Sequence, residues 1–296
     1  MKLPNRIAAA SLFLTAAIWG LSYSMQAEAM NTMPPLFFIF LRYLSGSIIL
    51  LPVIFCKKTP FFRKSLFTGG VICGICLAGG EILQQFGLLY TSAGKAGFLT
   101  ALYVIIIPVI GVIIKKKSDW KIWSASVLSA AGTYLLCADG LMLSAVNRGD
   151  ILVLLCALFF AFQFISIARF APQEDALQLA AVQFFTVTVI SGTAAFLSNE
   201  TCSWNNIAAT ARPLLYCGVI SIGFACTIQV AAQKYVHPAT TSVILSTASV
   251  FAVLWGILIL HETYSLMNLI GCVIIFAAVL QVQLPFKSKS AAGTAE

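Results

Sequence analysis

Ten long stretches of apolar residues, separated by short polar segments, run along the chain. Stretches such as Leu44–Ile54 and Val104–Ile114 are continuously apolar, whereas a transmembrane β-strand alternates apolar and polar residues over about ten positions. A helix needs about 20 residues to cross the hydrocarbon of a membrane. The pattern therefore predicts an all-α integral membrane protein with ten transmembrane helices, near residues 7–27, 34–55, 66–89, 95–114, 121–138, 150–169, 176–197, 213–233, 239–260 and 265–284.

Composition excludes the soluble classes of protein. Of the 296 residues, 60% are hydrophobic and 9% are charged, whereas a soluble domain has about 25% charged residues. This rules out a soluble enzyme, a secreted disulfide scaffold and a disordered chain. The first apolar stretch follows Lys2 and Arg6, as in a signal peptide, but the nine stretches after it favour a retained first helix.

The positions of the basic residues predict the orientation. If the N-terminus is cytoplasmic, fourteen of the 18 Lys and Arg residues lie in cytoplasmic segments, three lie in outer segments, and Arg42 lies within a span. The positive-inside rule then places both termini in the cytoplasm. The basic residues that give the chain its net charge of +8 lie between apolar stretches. They therefore indicate contact with membrane lipid rather than with nucleic acid.

The chain contains a weak internal repeat. Gln84–Tyr90 (QQFGLLY) aligns with Gln229–Tyr235 (QVAAQKY) at an offset of 145, and the same offset pairs Gly111 with Gly256. We therefore predict two copies of five helices, residues 7–138 and 150–284, followed by a cytoplasmic tail at 285–296. Because five is odd, the second copy enters the membrane from the opposite side, as in the inverted repeats of many secondary transporters.

Several motifs of the chain occur together in one known family. They are Trp19-Gly20-Leu21-Ser22-Tyr23, Pro34-Pro35, Leu41-Arg42-Tyr43, the segment from Tyr90 through Pro108, and the segment Tyr235–Gly256 followed by His261-Glu262-Thr263. This set resembles the EamA domains of the drug/metabolite transporter superfamily. The resemblance covers residues from about 8 to 284. It implies a carrier of ten helices that moves small metabolites, often outward, across the bacterial inner membrane. Relatives carry amino acids, sugars, nucleotide derivatives or drugs, so the resemblance does not name a substrate.

One departure from the superfamily concerns proton coupling. Its small four-helix multidrug members use a glutamate deep in the first helix, whereas the only acidic residue of the first span here is Glu28, near the outer end. Drug–proton antiport by that route is therefore not expected.

A polar face in the third span is the first candidate site. Glu81 lies about nine residues before the end of the span, close to the middle of the membrane, and Gln84 and Gln85 follow at i+3 and i+4. Ionisable groups at this depth are costly and mark functional sites by default. Glu81 either binds a substrate cation or carries a proton, or it is a buried carboxyl held by a neighbouring helix.

Other polar and aromatic residues at membrane depth complete the predicted binding site. Arg42 either pairs with Glu81, holds a substrate carboxylate or fixes packing. Gln229 and Gln233 share a face of the eighth span, and Gln229 is the repeat counterpart of Gln84. These glutamines either bind a ligand or bond to neighbouring helices. The remaining candidates for the cavity wall are Gln163, Trp19, Tyr23 and Tyr103.

The sequence lacks motifs for catalysis and for ATP. His261-Glu262 begins like a zinc-protease motif, but position 265 is Ser, and the chain has two histidines. Cys73 and Cys76 have redox or metal spacing but no histidine nearby. We expect no metal and no cofactor.

The favoured function is a secondary transporter that exports a small metabolite, such as an amino acid or a related compound, across the bacterial inner membrane by alternating access, and an importer is the alternative within this class. The expected partners are the small-molecule substrate and, where transport is coupled to them, protons. The quaternary state is predicted as monomer or homodimer. A membrane sensor or enzyme is the alternative from another class, although it would need a catalytic cluster or signalling domain.

Overall fold

Apolar helices make up nearly all of the computed structural model, which describes residues 3–55, 63–91, 93–115, 119–136, 147–260 and 265–283. No strand occurs within those ranges. The helices are α1 (Leu3–Ala29), α2 (Pro35–Phe55), α3 (Lys64–Leu88), α4 (Ala93–Ala101 and Tyr103–Ile113), α5 (Trp120–Leu136), α6 (Arg148–Phe170), α7 (Ala176–Leu197), α8 (Ala211–Leu215, Tyr216–Cys226 and Thr227–Ala232), α9 (Pro238–Leu245 and Ala248–Leu260) and α10 (Leu266–Gln283). A short helix, Trp204–Ala209, precedes α8.

The lengths of these helices fit a membrane protein. Among the described residues, nine helices are long and apolar enough to cross a membrane. The remaining one, α5, has 17 residues and borders residues 137–146, which lie outside the described part. The predicted all-α membrane fold is confirmed, whereas the predicted tail at 285–296 also lies outside the described residues.

Local sequence explains where several helices begin. The Asn147 side chain accepts the backbone N–H of Asp150, whose carboxylate in turn accepts the backbone N–H of Asn147, so α6 starts with a capping box. The carboxylate of Asp175 caps the start of α7 by accepting two backbone N–H groups. Helix α9 begins at Pro238, which lacks an N–H and therefore suits the first helical position, and the side chain of His237 caps it.

Helices α4 and α9 are both interrupted near their middles. The break in α4 is at Leu102 rather than at Pro108, which lies inside the second segment. In α9 the break is at Ser246 and Thr247, whose hydroxyls donate to the carbonyls of Val243 and Ile244. Such bonds compete with regular helix geometry. Leu102 and Thr247 are 145 residues apart, so the two breaks follow the offset of the repeat.

The packing between the two halves is also repeated. Helix α1 packs against α8 and α9, and its counterpart α6 packs against α3 and α4. Helix α2 packs against α7, α5 packs against α10, and the contact of α3 with α7 is matched by that of α8 with α2. These interfaces between the halves therefore either occur twice or join two equivalent helices.

Ion pairs identify the two ends of the helix bundle. At the N-terminal face, where α1 begins, Arg63 Nη1 lies 3.0 Å from Glu174 Oε2, and Lys234 Nζ donates to the Glu174 carbonyl. At the opposite face, Arg212 Nη2 lies 2.6 Å from Glu28 Oε2. Helix α6 starts at this second face, since Asn147 Nδ2 donates to the carbonyl of Tyr90 at the end of α3. Helices α1 and α6 thus begin at opposite faces.

Glycines allow the closest helix contacts. A Cβ on Gly70 would lie 2.5 Å from Val182, and one on Gly74 would lie 2.5 Å from Thr186, so these two glycines of α3 let α7 approach. A Cβ on Gly271 of α10 would lie 2.5 Å from the carbonyl oxygen of Gly132 in α5. Only glycine fits at such a backbone contact.

We expect Gly271→Ala to destabilise the protein, because the backbone of α5 cannot move away without separating the two helices. Gly97→Ala is the matched control, since nothing lies within 4 Å of a Cβ built there. Alanine favours a helix by about 1 kcal/mol over glycine, so the control is expected to be neutral or stabilising. Thermal unfolding of the purified variants measures both effects. Equal unfolding temperatures would contradict the close contact of α5 with α10.

Candidate functional site

A cavity lies between the two halves, near the middle of the helices. Its empty space amounts to about 660 Å³, including the part open to solvent. Helices α1, α2, α3, α4, α6, α8 and α9 line it. The lining residues are Trp19, Ser22, Tyr23, Gln26, Arg42, Leu77, Glu81, Gln84, Thr100, Tyr103, Phe160, Gln163, Phe164, Ser221, Ile222, Cys226, Gln229 and Ala248.

An ion pair occupies one wall of the cavity. Arg42 of α2 is 2% exposed, and its guanidinium Nη2 donates to Glu81 Oε2 of α3. Tyr43 donates its hydroxyl to Glu81 Oε1 at 2.7 Å. The guanidinium also lies over the rings of Phe38 and Tyr43, 5.3 Å and 5.4 Å from their centroids. Of the alternatives for Arg42, the structure shows the pair with Glu81, which leaves this wall with no net charge.

The glutamines of the cavity differ in their bonding. Gln84 Nε2 donates to Thr100 Oγ1 at 3.1 Å, and Gln163 Nε2 donates to Gln183 Oε1 at 3.3 Å. By contrast, Gln229 Nε2 has no hydrogen-bond partner among the described residues, and neither does Gln26 Oε1. Buried polar groups without partners are rare and call for an explanation.

Aromatic rings form the apolar part of the wall. Tyr103 of α4 stacks on Phe164 of α6 with ring centroids 5.2 Å apart. Phe160, Trp19 and Tyr23 also face the cavity. Apolar walls with a few polar groups are typical of small-molecule sites.

The structure brings together eight of the ten predicted site residues. Trp19, Tyr23, Arg42, Glu81, Gln84, Tyr103, Gln163 and Gln229 all line the cavity.

The other two predicted site residues, Gln85 and Gln233, do not line it. Gln85 donates to the sulfur of Met30 at 3.4 Å, because consecutive helical residues point about 100° apart and Gln85 cannot share the direction of Gln84. Gln233 follows the last helical residue of α8, and both of its polar side-chain atoms lack partners in the described structure.

Comparison with known proteins identifies the family. The profile of the EamA-like transporter family matches residues 6–138 and again 147–283. An "Uncharacterized transporter" of Archaeoglobus fulgidus is 30% identical over 278 residues, which cover 92% of this chain and 84% of that protein. The chain belongs to the EamA-like transporter family. A solved crystal structure also shares the fold, with a TM-score of 0.79 and 15% identity over 96% of this chain and 97% of that one.

Membership of the EamA-like family makes this protein a membrane transporter rather than an enzyme. The cavity between the two family matches is therefore the candidate substrate site. Within the described residues, no group of three His, Cys, Asp or Glu side chains could hold a metal ion.

Several lining residues of this EamA-like transporter were not predicted. Gln26 shares the face of α1 with Ser22 at i+4, a polar spacing that the sequence already contains. Ser221, Ile222 and Cys226 lie in the π-helical segment of α8, and π-helical turns are frequent at functional sites. No sequence signal distinguishes Phe160, Phe164 or Ala248 from core residues.

Lys95, which the sequence places near the outer interface, forms a structural contact. Its Nζ lies 2.6 Å from Asp150 Oδ2, and Thr91 donates to Asp150 Oδ1 at 2.8 Å. These bonds connect the ends of α3, α4 and α6 away from the cavity.

Proposed function

We propose that this transporter is a secondary carrier that moves a small metabolite, such as an amino acid or a related compound, outward across the bacterial inner membrane by alternating access. The observation that carries this proposal is the cavity at mid-membrane depth between the two halves, which contains the buried Arg42–Glu81 pair. Carriers with inverted repeats bind their substrates at this place.

The charges of the cavity support a neutral or zwitterionic substrate. Arg42 and Glu81 compensate one another, so a ligand with a net charge would meet no excess of the opposite charge among the described lining residues. An amino acid carries one carboxylate and one ammonium group, which the guanidinium and the carboxylate can each bind. The Nε of Arg42 has no hydrogen-bond partner in the described structure and is available to such a carboxylate.

The repeated packing supports a rocking mechanism. The contact of α1 with α8 is equivalent to that of α6 with α3, and α1 and α6 begin at opposite faces of the bundle. A movement of α1 against α8 would therefore open one face while the opposite face stays closed. We place both termini in the cytoplasm because of the distribution of Lys and Arg residues. In this proposal the two parts that move against one another are the predicted five-helix copies, residues 7–138 and 150–284.

Counterflow in proteoliposomes tests the proposal. Vesicles containing the purified protein would be loaded with unlabelled amino acids, nucleosides and sugars, and one labelled member of the pool would then be added outside. We expect transient accumulation of a labelled amino acid and none in vesicles without protein. No accumulation of any label by folded protein would contradict this choice of substrates. Accumulation of a labelled sugar or nucleoside alone would show that the protein is a carrier but that its substrate is not an amino acid.

A further inference from the structure

The repeat offset of 145 pairs each wall of the cavity with its counterpart. The offset derives from Gln84 and Gln229, and the helix breaks at Leu102 and Thr247 agree with it. It makes Tyr103 equivalent to Ala248, both of which start the second segment of their helix and line the cavity. The same offset pairs Glu81 with Cys226 and Thr100 with Leu245.

The first-copy wall, formed by α3 and α4, is bonded within the protein, whereas Arg42 Nε of α2 and Gln26 Oε1 of α1 in the same copy lack partners in the described structure. Glu81 accepts bonds from Arg42 and Tyr43. Gln84 donates to Thr100, and Tyr103 stacks on Phe164. These side chains already have partners within the protein. The ring of Tyr103 also takes up more space than the methyl group of its counterpart, Ala248.

The second-copy wall, formed by the counterpart helices α8 and α9, has the opposite character. The side chains of Cys226 and Ala248, which line the cavity here, are smaller than those of Glu81 and Tyr103. Leu245 stands where Thr100 stands in the first copy and has no side-chain oxygen to accept a hydrogen bond. Gln229 Nε2 has no partner in the described structure, although Gln229 is 2% exposed and lines the cavity.

We infer that the substrate binds against the second-copy wall, where Gln229 Nε2 donates a hydrogen bond to a substrate oxygen and an apolar part of the substrate occupies the space beside Ala248. The inference rests on the proposed carrier function and adds the side of the cavity and the chemistry of the ligand. The ligand must combine a carbonyl, carboxylate or hydroxyl oxygen with an apolar group, because Phe160 and Phe164 also face the cavity.

The first test needs no substrate and compares two glutamines. Methionine resembles glutamine in length but lacks the amide. Gln229→Met removes no bond of the Nε2 group within the protein and is expected to leave the unfolding temperature unchanged or to raise it. Gln281→Met is the matched control, since Gln281 of α10 donates to Ser124, and we expect it to lower the unfolding temperature by about 2–4 °C. A comparable decrease for Gln229→Met would show that its amide is already bonded and would overturn the inference.

The second test uses each labelled amino acid, nucleoside or sugar that gives counterflow with the unchanged protein. We expect Gln229→Met to raise KM about 5- to 10-fold, the effect of one lost hydrogen bond, and Gln281→Met to leave it unchanged. Ala248→Tyr should abolish counterflow because it places a second ring opposite Tyr103. Unchanged KM in Gln229→Met, or transport by Ala248→Tyr, would overturn the inference.

The two tests separate failure of the inference from failure of the proposed function. If the unchanged protein transports a label and Gln229→Met and Ala248→Tyr transport it equally well, the proposed carrier function is supported and the inferred position of the substrate is wrong. If no label accumulates with the unchanged protein, the proposed function fails, and the unfolding temperatures still decide whether the Gln229 amide has a partner.

Discussion

Replacing Arg42 alone with glutamine is expected to lower the yield of folded protein at least tenfold, whereas replacing Arg42 and Glu81 together should recover it. The single change leaves a buried carboxylate without its guanidinium, and breaking a buried pair costs about 3–5 kcal/mol. The double change removes both charges. The amide oxygen introduced at position 81 can still accept the hydroxyl of Tyr43, which bonds Glu81 Oε1 in the unchanged protein. Size-exclusion chromatography of the detergent-extracted protein measures the folded fraction.

The double variant also separates a structural role of the pair from a role in transport. If Arg42 and Glu81 bind substrate, Arg42→Gln/Glu81→Gln should fold and fail in counterflow. Glu28→Gln is the control, because Glu28 forms an exposed ion pair away from the cavity. Normal transport by the folded double variant between pH 5.5 and 8 would show that the pair only stabilises the bundle.

The helices were predictable because each depends on a local property of the sequence. An apolar run of about 20 residues predicts a span regardless of its neighbours, and the observed α2 at Pro35–Phe55 differs little from the predicted 34–55. The break at Leu102 was not predicted. Proline often kinks a helix, but Pro108 lies inside the second segment of α4 and not at the break. Breaks of this kind depend on contacts between helices rather than on a single residue.

The sequence predicts which polar residues belong to the site, but it does not predict which of them bond to one another. Burying a charge is costly, so Glu81 and Arg42 could be identified from depth alone. Their contact depends on the relative rotation of α2 and α3, which left three interpretations of Arg42 open. The unpartnered Nε2 of Gln229 could not be predicted from the sequence for a related reason. Whether a glutamine has a partner depends on residues of neighbouring helices: Gln84 donates to Thr100, whereas the repeat offset puts Leu245, which cannot accept such a bond, at the equivalent position of the second copy.

Replacing Arg63 with glutamine is expected to destabilise the protein several times more than replacing Arg212. Both arginines pair with a glutamate at one face of the bundle, but the side chain of Glu174 is 1% exposed and that of Glu28 is 44% exposed. Neither carboxylate oxygen of Glu174 accepts a hydrogen bond in the described structure, so Arg63 compensates a buried charge. A buried polar group left without compensation costs about 1–3 kcal/mol, whereas an exposed ion pair contributes about 0–1 kcal/mol.

Thermal unfolding of Arg63→Gln and Arg212→Gln at low and high salt measures the difference. Salt should reduce the small effect at Arg212 and leave most of the effect at Arg63, because a buried carboxylate is screened less. Equal effects would contradict the burial of Glu174. A larger effect at Arg63 would show that the burial of the carboxylate, and not the mere presence of an ion pair, decides how much each of these two contacts stabilises the bundle.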